Sequence, residues 1–376
     1  MAERIAPITM PKFGLAMTEG IVVGWLAAIG DSIASGQELV EIETTKITNV
    51  YESPVSGVLR RQLASQGETL SVGALIGVVA EPSVPDAEID TFIAGFEAQS
   101  PETASDDEEK TTPANTVIAV GPLKLRVQDS GIAQPGRLPV ILIHGFAGSL
   151  DNWMLVQPAL AEITRVIAFD LPGHGESSKS VGDGTVASLA QVTQALLEAI
   201  SIEKAHVVGH SLGGAVAIEL AARAPEAVAS MTLIAPAGIG DSINAAFIDG
   251  ILNATTRKTL QPALSLLVHD KALISRQMVE EMIRFKRLDG ALDGLRTLAA
   301  ASFDGDRQKI SLIAPLERFA GKTALLWGEN DEILPASQAG NATGNVTVTT
   351  YPQTGHMPQL ERSSAVAARL KTIIAG

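Results

Sequence analysis

The sequence predicts a two-domain protein, in which a small all-β domain precedes an α/β domain with a helical insertion. Three observations support this. Residues 1–80 consist of short runs of strand-forming residues separated by glycine turns. Residues 81–115 are acidic and contain four prolines, which is typical of a linker. From residue 116 onward, short apolar runs alternate with longer helical stretches, the pattern of an α/β sheet protein.

Composition excludes several classes of protein. With 46% hydrophobic and 19% charged residues the chain can bury more than one core, and its length of 376 residues suggests two or three domains. No cysteine is present, so disulfides, thiolate nucleophiles and cysteine-ligated metals are excluded. We find no signal-peptide core and no run of the about 18 apolar residues that a membrane span needs. We therefore expect a cytoplasmic protein that binds neither membrane nor nucleic acid.

Residues 1–80 contain a weak internal repeat. The stretch GDSIASGQELVEI (30–42) aligns with GETLSVGALIGVV (67–79), so that Gly30 matches Gly67 and Gly36 matches Gly73. Two similar halves predict a small β structure with two-fold symmetry. The stretch VEIETTKITNVYE (40–52) follows the first half, and its lysine, Lys46, stands between two strand-like runs. We therefore expect Lys46 at an exposed hairpin tip.

Residues 7–80 resemble a lipoyl domain, a flattened β-barrel or sandwich hybrid whose hairpin lysine carries lipoate. The resemblance implies that Lys46 is the lipoylated residue. Biotin carriers usually place methionines beside their lysine, whereas Thr45 and Ile47 flank this one, which favours lipoate. One position departs from the family, because Thr45 replaces its common aspartate. The matching residues are Met10, Pro11, Lys12, Met17, Glu19, Gly20, Trp25, Gly30, Asp31, Gly36, Glu43 and Thr44.

The acidic segment 81–115 holds ten acids and one lysine, and so carries most of the net charge of −14. Its run DDEEK and its prolines predict a solvated linker between the domains 1–80 and 116–376. Apolar residues within it recur at helical spacing and predict a short amphipathic helix, which we expect to cap a neighbouring domain. These residues are Ile89, Phe92, Ile93 and Phe96.

The second domain contains a nucleophile motif. GHSLGG (209–214) has the pattern G-x-S-x-G and lies between a predicted strand and a predicted helix. Glycines at 209 and 213 permit a turn so sharp that it exposes the hydroxyl of Ser211 above the sheet edge. This motif alone is weak evidence, because it is short.

An acid and a histidine follow the serine in the order that serine hydrolases of this kind use. Asp331 comes after the apolar run TALLWGEN, and His356 comes after VTVTTYP. Asp170 is a rival acid, but it precedes the serine, and we favour Asp331.

His206 and His210 are four residues apart, but HVVGH reads as a strand and not a helix, so we predict no metal site. His144 and His174 lie in glycine turns and are expected to be structural.

Together these motifs resemble the α/β-hydrolase fold from about residue 116 to the C-terminus. The resemblance implies a catalytic triad of Ser211, His356 and Asp331, with the backbone N–H groups of Phe146 and Leu212 as the oxyanion hole. The supporting motifs are HGFAGSLDNW, FDLPGHGES, GHSLGG, WGENDEILP and GHMPQLE.

Residues 239–310 read as mostly helical and are predicted to form a cap over Ser211. From 251 to 309 the chain has ten bases and seven acids, a local positive excess in an acidic protein. A solvated helical face explains this excess. Alternatively, it receives a polyanion, with Arg257, Lys258, Arg284, Lys286 and Arg287 as candidates.

A lipoyl domain joined to an α/β-hydrolase domain resembles the dihydrolipoamide acetyltransferase components of acetoin dehydrogenase complexes. The resemblance implies acetyl transfer from S-acetyldihydrolipoyl-Lys46 to coenzyme A through an acetyl-Ser211 intermediate. Its implied partners are a thiamine-diphosphate-dependent acetoin dehydrogenase component and dihydrolipoamide dehydrogenase, in an oligomeric complex. The chain lacks the HxxxDG motif of the 2-oxo acid dehydrogenase acyltransferases, and it has no recognisable peripheral-subunit-binding domain.

Two other functions stay open on the sequence. With water as the acceptor, the same residues would make a lipoyl-tethered serine hydrolase or thioesterase. A non-catalytic module that only displays lipoate is the second alternative, and the complete set of Ser211, Asp331 and His356 argues against it.

Overall fold

The computed structural model describes residues 4–11, 19–43, 48–97, 114–130 and 134–375. The chain divides into two compact units, residues 1–109 and 110–376. This division falls inside the segment 81–115 that we interpret as a linker. None of the helices in the described ranges is long and apolar enough to cross a membrane.

The described part of the first unit consists of strands followed by one helix. Its elements are β1 (Ile5–Thr9), β2 (Glu19–Trp25), β3 (Ser32–Ile33), β4 (Glu38–Glu43), β5 (Thr48–Glu52), β6 (Gly57–Gln62), β7 (Thr69–Ser71), β8 (Leu75–Ala80) and α1 (Asp86–Glu97).

Two small antiparallel sheets form the first unit. Their strand orders are β1-β8-β6-β3 and β5-β4-β2-β7. Strand β2 alternates exposed and buried residues in its first half, as expected for a strand with one face on a core. The two sheets contribute to one apolar core, in which Ile8, Val22, Ile42, Leu59 and Ile76 are fully buried. The predicted all-β domain is confirmed.

The internal repeat is visible in the backbone. Gly30 and its match Gly67 have φ angles of 98° and 84°, and Gly36 and Gly73 have 83° and 91°. These left-handed conformations favour glycine. Asp31 accepts a hydrogen bond from the Ala28 N–H at 2.8 Å, and its match Glu68 accepts one from the Ser65 N–H at 2.7 Å. The repeat is therefore a pair of equivalent turns.

Helix α1 packs on the first unit through an apolar face. Ile89 is fully buried in a cluster with Val78, Ala80 and Val84, and Phe92 and Ile93 pack against that cluster. Arg60 and Arg61 reach from β6 to the helix and pair with Asp86 at 2.8 and 3.2 Å. Arg61 also pairs with Asp90 at 2.8 Å. The first helix of the acidic segment is thus part of the β domain.

The described part of the second unit contains an eight-stranded sheet. Its strands are β9 (Ala114–Val120), β10 (Leu123–Asp129), β11 (Val140–Ile143), β12 (Val166–Phe169), β13 (Ala205–His210), β14 (Val228–Ile234), β17 (Lys322–Gly328) and β18 (Val346–Tyr351), and a separate hairpin is formed by β15 (Phe303–Asp304) and β16 (Arg307–Gln308).

The order of the strands brings the carboxyl ends of six of them to one edge. The sheet runs β18-β17-β14-β13-β11-β12-β10-β9. In this spatial order, every neighbouring pair from β18 to β12 is parallel. Strand β10 pairs antiparallel with β12 on one side and with β9 on the other. Strands β11 and β12 are buried along their whole length, as expected for a sheet covered on both faces. Loops that follow β11, β13, β17 and β18 therefore meet at one edge.

Helices cover the sheet, and four of them lie in the predicted cap segment 239–310. The helices outside that segment are α2 (Gln157–Ala161), α3 (Val186–Ala199), α4 (Leu212–Arg223), α9 (Ile313–Arg318), α10 (Pro358–Glu361) and α11 (Ser363–Ala375), and those within it are α5 (Ala245–Asn253), α6 (Arg257–Ser265), α7 (Arg276–Lys286) and α8 (Ala291–Ser302). The predicted α/β fold with a helical insertion is confirmed.

Candidate active site

Ser211 stands at the turn between β13 and α4 in a strained backbone conformation. Its φ is 54° and its ψ is −116°, which is rare for a residue with a side chain. The neighbouring backbone leaves no room for other side chains at the flanking glycines. A Cβ on Gly209 would lie 2.3 Å from the carbonyl oxygen of Gly213, and one on Gly213 would lie 2.2 Å from that of Ile143. The sharp turn therefore depends on these glycines, as the motif predicts.

Asp331 and His356 form a buried hydrogen-bonded pair. Asp331 follows β17 and His356 follows β18, so both side chains come from loops at the same edge of the sheet as Ser211. The Nδ1–H of His356 donates to Asp331 Oδ2 at 2.7 Å, and both side chains are almost completely buried. This tautomer leaves Nε2 of His356 free to accept a proton.

Backbone and side-chain donors orient the Asp331 carboxylate. Its Oδ1 accepts from the N–H groups of Ile333 at 2.8 Å and Leu334 at 2.9 Å. Its Oδ2 accepts from Nε1 of Trp327 at 3.0 Å as well as from His356. Three donors besides the histidine therefore fix the direction of this carboxylate. Trp327 lies in β17 and was not recognised from the sequence.

His210 connects the serine turn to the histidine loop. Its Nε2 donates to the carbonyl oxygen of His356 at 2.8 Å, and the centroids of the two imidazole rings are 4.8 Å apart. Burial lowers the pKa of His210 well below its usual range, and the nearby His356 lowers that pKa further. His210 therefore stays neutral. Within the described residues no hydrogen bond joins the Ser211 hydroxyl to His356. Such bonds are often long before substrate binds.

The loop after β11 contains Phe146, one of the two residues predicted to form an oxyanion hole. A Cβ on Gly145 would lie 3.0 Å from Cβ of Ser211, so this loop passes directly beside the nucleophile. The N–H groups of Phe146 and Leu212 donate to no acceptor among the described residues. For Leu212 this follows from its place at the first turn of α4. Two free N–H groups beside the serine suit a developing oxyanion.

Two buried histidines bind backbone N–H groups in and beside the loop that contains Phe146. His144 Nε2 accepts from the N–H of Leu171 at 3.0 Å, and His174 Nε2 accepts from the N–H of Ala147 at 3.0 Å. Both can accept only when they are neutral. Burial lowers the pKa of His144 and lowers the pKa of His174 well below its usual range. The predicted structural role of these histidines is confirmed.

Asp170, the other acid considered for the triad, accepts hydrogen bonds from backbone N–H groups of two neighbouring loops. Its Oδ1 accepts from the N–H of Leu150 at 2.7 Å, and its Oδ2 accepts from the N–H of Glu176 at 2.8 Å. Arg126 Nη1 lies 3.6 Å from Oδ2, and both side chains are buried. Asp170 is thus committed to a structural ion pair, while Asp331 contacts His356.

The histidines of HVVGH do not form a metal pair. His206 Nδ1 hydrogen-bonds with Oγ of Ser230 at 2.7 Å, and His210 contacts His356. In the described ranges, no group of three or more His, Cys, Asp or Glu side chains is placed to hold a metal ion.

Lys46 lies outside the described residues, in the stretch 44–47. The strands on either side of this stretch, β4 and β5, pair antiparallel, and Glu43 pairs with Thr48. The chain segments that flank Lys46 are therefore adjacent strand ends.

The five basic residues considered as polyanion ligands differ in the exposure of their side chains. Arg257, Lys258, Arg284 and Arg287 are exposed. Lys286 instead donates to the carbonyl oxygen of Ala254, and burial lowers its pKa. Its inclusion among the polyanion candidates is therefore not supported, because its ammonium is occupied inside the cap.

Both halves of the chain match known protein families. Residues 6–79 match the biotin-requiring enzyme family, and residues 139–363 match the alpha/beta hydrolase fold family. The chain is 44% identical over 364 residues to the dihydrolipoyllysine-residue acetyltransferase component of the acetoin cleaving system of Pseudomonas putida, with 97% of each chain covered. The Cupriavidus necator component with the same name is 40% identical, over 100% of this chain and 99% of the relative. The chain belongs to this family of acetyltransferase components.

Solved structures show the same fold for the second unit of this family member. A meta-cleavage product hydrolase from Pseudomonas fluorescens is 22% identical, with a TM-score of 0.62 over 69% of this chain and 97% of that one. A 2-hydroxy-6-oxo-6-phenylhexa-2,4-dienoate hydrolase from Rhodococcus has 21% identity and a TM-score of 0.63 over 70% of this chain and 99% of that one. At such identity the likeness concerns the fold alone.

Proposed function

We propose that the chain transfers an acetyl group from lipoate on Lys46 to coenzyme A through an acetyl-Ser211 intermediate. The observation that carries this proposal is the buried His356–Asp331 pair, presented at the same sheet edge as the strained Ser211. A carrier lysine and a serine acyl-transfer site in one chain are the two parts that such a transfer needs.

The chain offers suitable chemistry for covalent lipoate. The amine of Lys46 can form an amide with the carboxyl group of lipoate, and the strands that flank residues 44–47 are paired at Glu43 and Thr48. When bound, lipoate supplies a dithiol that carries an acyl group as a thioester. The part of the acidic segment that follows α1 would let such an arm reach the enzyme that loads it and Ser211 in turn.

In the first half-reaction Ser211 becomes acetylated. His356 Nε2 takes the proton of the Ser211 hydroxyl as Oγ bonds to the thioester carbon, and the C–S bond then breaks. Asp331 holds the required tautomer and stabilises the imidazolium. The N–H groups of Phe146 and Leu212 donate to the oxygen that becomes negative. His356 returns the proton to the departing thiolate.

In the second half-reaction coenzyme A is the acceptor. His356 removes the proton from its thiol, the sulfur attacks the acetyl-serine carbon, and the bond from that carbon to Oγ breaks. The proton returns to Ser211. The products are acetyl-coenzyme A and free enzyme, so atoms and charge balance without an oxidant.

The complete cycle needs two partner activities. A thiamine-diphosphate-dependent acetoin dehydrogenase component would load the arm with acetyl, and dihydrolipoamide dehydrogenase would reoxidise the dithiol afterward. The relatives from Pseudomonas putida and Cupriavidus necator are named as components of an acetoin cleaving system, which supports such an assembly.

The acceptor distinguishes this function from a thioesterase, because the same triad can use water. We expect the lipoylated protein, given acetyl-dihydrolipoamide and coenzyme A, to form acetyl-coenzyme A in at least about tenfold excess over acetate. Chromatography of both products measures the ratio. Acetate as the main product at saturating coenzyme A would contradict the transferase and support a tethered hydrolase.

The exposed bases of the cap are expected to attract the phosphates of coenzyme A. The bond from Lys286 to Ala254 joins the end of α7, where Arg284 and Arg287 lie, to the chain just before α6, which begins at Arg257 and Lys258. Changing these four residues to serine should raise the apparent KM for coenzyme A about 10-fold with little change in kcat. The effect should shrink at high salt, because exposed charges are screened beyond about 8 Å at physiological ionic strength.

The matched control changes basic residues of the same unit that lie outside the cap. Lys204 and Lys322 are exposed, and their replacement by serine should leave the KM for coenzyme A unaltered. An unchanged KM in the four-residue cap variant would remove these bases from the acceptor site.

A further inference from the structure

One carboxylate joins the histidine loop to the cap. Glu361, in α10, accepts from the N–H of Gly355 through Oε1 at 2.6 Å. Its Oε2 accepts from the N–H of His269 at 2.8 Å and from that of Asp270 at 3.2 Å. Gly355 immediately precedes His356, while His269 and Asp270 lie in the cap between α6 and α7. Each oxygen of Glu361 therefore serves a different part of the chain.

Gly355 is also in direct backbone contact with that part of the cap. A Cβ on Gly355 would lie 2.7 Å from the nitrogen of His269 and 2.8 Å from Cα of Val268. On the other side, a Cβ on Gly328 would lie 2.0 Å from the carbonyl oxygen of Gly355. The residue before His356 is thus packed between the end of β17 and the cap, so its position depends on both.

The same stretch of the cap is tied to the acid loop by a second charged contact. The ammonium of Lys271 pairs with Glu332, the residue after Asp331. Lys271 also donates to the carbonyl oxygens of Ser265 at 2.8 Å and Val268 at 2.7 Å, where α6 ends. Residues 268–271, which we name the cap turn, consequently contact the loops of both His356 and Asp331.

We propose that the cap turn positions the catalytic pair, and that it acts through Glu361 on the His356 side and through Lys271 on the Asp331 side. This inference rests on the proposed role of His356 and Asp331. Neither Glu361 nor Lys271 touches the reacting atoms, so both are positioning residues.

A purely local role in capping a helix end does not explain the Glu361 contacts. The cap residues that Oε2 contacts, Asp270 and His269, are 91 and 92 positions away from Glu361 in the chain. An isolated capping carboxylate bonds to N–H groups of its own helix. Glu361 instead uses both oxygens across two segments, and replacement by glutamine would place an NH₂ group against one of these N–H donors.

The test measures how fast Ser211 is acylated by p-nitrophenyl acetate in the full-length protein. For Glu361→Gln we expect the acylation rate constant to fall about 10- to 100-fold, because a misplaced catalytic group costs about 10²-fold per ångström. The KM for the ester should stay within about two-fold, since Glu361 does not contact it. Lys271→Met should act in the same direction and less strongly, because its ion pair is half exposed.

Repeating the substitution in the His356→Ala variant distinguishes a positioning role from a general loss of structure. In His356→Ala, adding Glu361→Gln should cause no further loss, because the residue acts through a histidine that is absent. An equal relative loss in both backgrounds would overturn the proposal, as would acylation rates within about two-fold of the unmodified protein for both Glu361→Gln and Lys271→Met. Should Glu361→Gln fail to fold, Lys271→Met alone decides by the same criteria.

The matched control is Glu162→Gln, which removes an ion pair with Lys371 at 2.6 Å on the surface of the same unit. It should leave the acylation rate unaltered. Failure of the proposed function gives a different result from failure of this inference. If Ser211 is not the nucleophile, Ser211→Ala would still release the initial burst of p-nitrophenol, whatever the result for Glu361.

Discussion

Ser211→Ala is expected to reduce acetyl-coenzyme A formation about 10⁴- to 10⁶-fold, the range seen when a triad nucleophile is removed. The loss is large because the hydroxyl forms the covalent bond, and neighbouring groups cannot replace it. The initial rate with acetyl-dihydrolipoamide and coenzyme A measures the effect. Intact-mass analysis after mixing with the donor alone should show one added acetyl group in the unmodified protein and none in the variant.

His356→Ala should cost about as much as Ser211→Ala, and the double variant should cost little more, because triad members act as a unit. Ser201 provides a matched control, since it is an exposed serine in the same unit with a similar φ of 57°. Ser201→Ala should keep the rate within about two-fold. Undiminished acetyl-coenzyme A formation in Ser211→Ala would show that the acetyl group passes directly between thiols, without an acyl-enzyme.

Lys46→Ala is expected to abolish lipoylation and, with it, all acetyl transfer that begins from acetoin. An amide to lipoate requires the side-chain amine, and alanine has none. Intact-mass analysis after expression with a lipoate ligase should show one lipoyl adduct in the unmodified protein and none in the variant. The coupled reaction with both partner enzymes should lose its measurable rate.

Lys12 provides the control for this experiment, because it is the other lysine in residues 1–80. Lys12→Ala should keep the adduct. Free acetyl-dihydrolipoamide should still acetylate Ser211 in Lys46→Ala, since this donor bypasses the arm. An adduct that persists in Lys46→Ala would contradict the assignment of the carrier residue.

The two substitutions together separate the carrier from the chemistry. Ser211→Ala should leave loading of the arm intact, and Lys46→Ala should leave the serine site intact. This independence is expected because the two residues belong to different compact units. A loss of both steps in either variant would indicate a fold defect instead of a catalytic one.

Sequence reasoning worked best where one local rule determines the backbone. The repeated glycines of residues 30–42 and 67–79 predict two similar halves, and Gly30, Gly36, Gly67 and Gly73 all have left-handed φ angles. The spacing of Ile89, Phe92, Ile93 and Phe96 predicts a short amphipathic helix, and α1 (Asp86–Glu97) buries Ile89. In both cases the information lies within a few neighbouring residues.

Sequence reasoning did less well where a side chain has several possible partners. Lys286 counts as a free positive charge in the sequence, but it is bonded to a carbonyl oxygen inside the cap. Trp327 reads as one more apolar residue of a strand, whereas its indole N–H donates to Asp331. Glu361 lies soon after His356, but this position alone does not indicate that its carboxylate bonds to Gly355, His269 and Asp270.

The sequence by itself determined the family and the order of a β domain and an α/β domain, and it predicted Ser211, Asp331, His356 and Lys46 as site residues, because motif order and residue type carry that information. Only the tertiary structure decided which groups hold the loops of Asp331 and His356 in place. The contacts of Glu361 with His269 and Asp270 join segments about 90 residues apart. Packing brings such segments together through the burial of many other side chains, and no local pattern encodes the result.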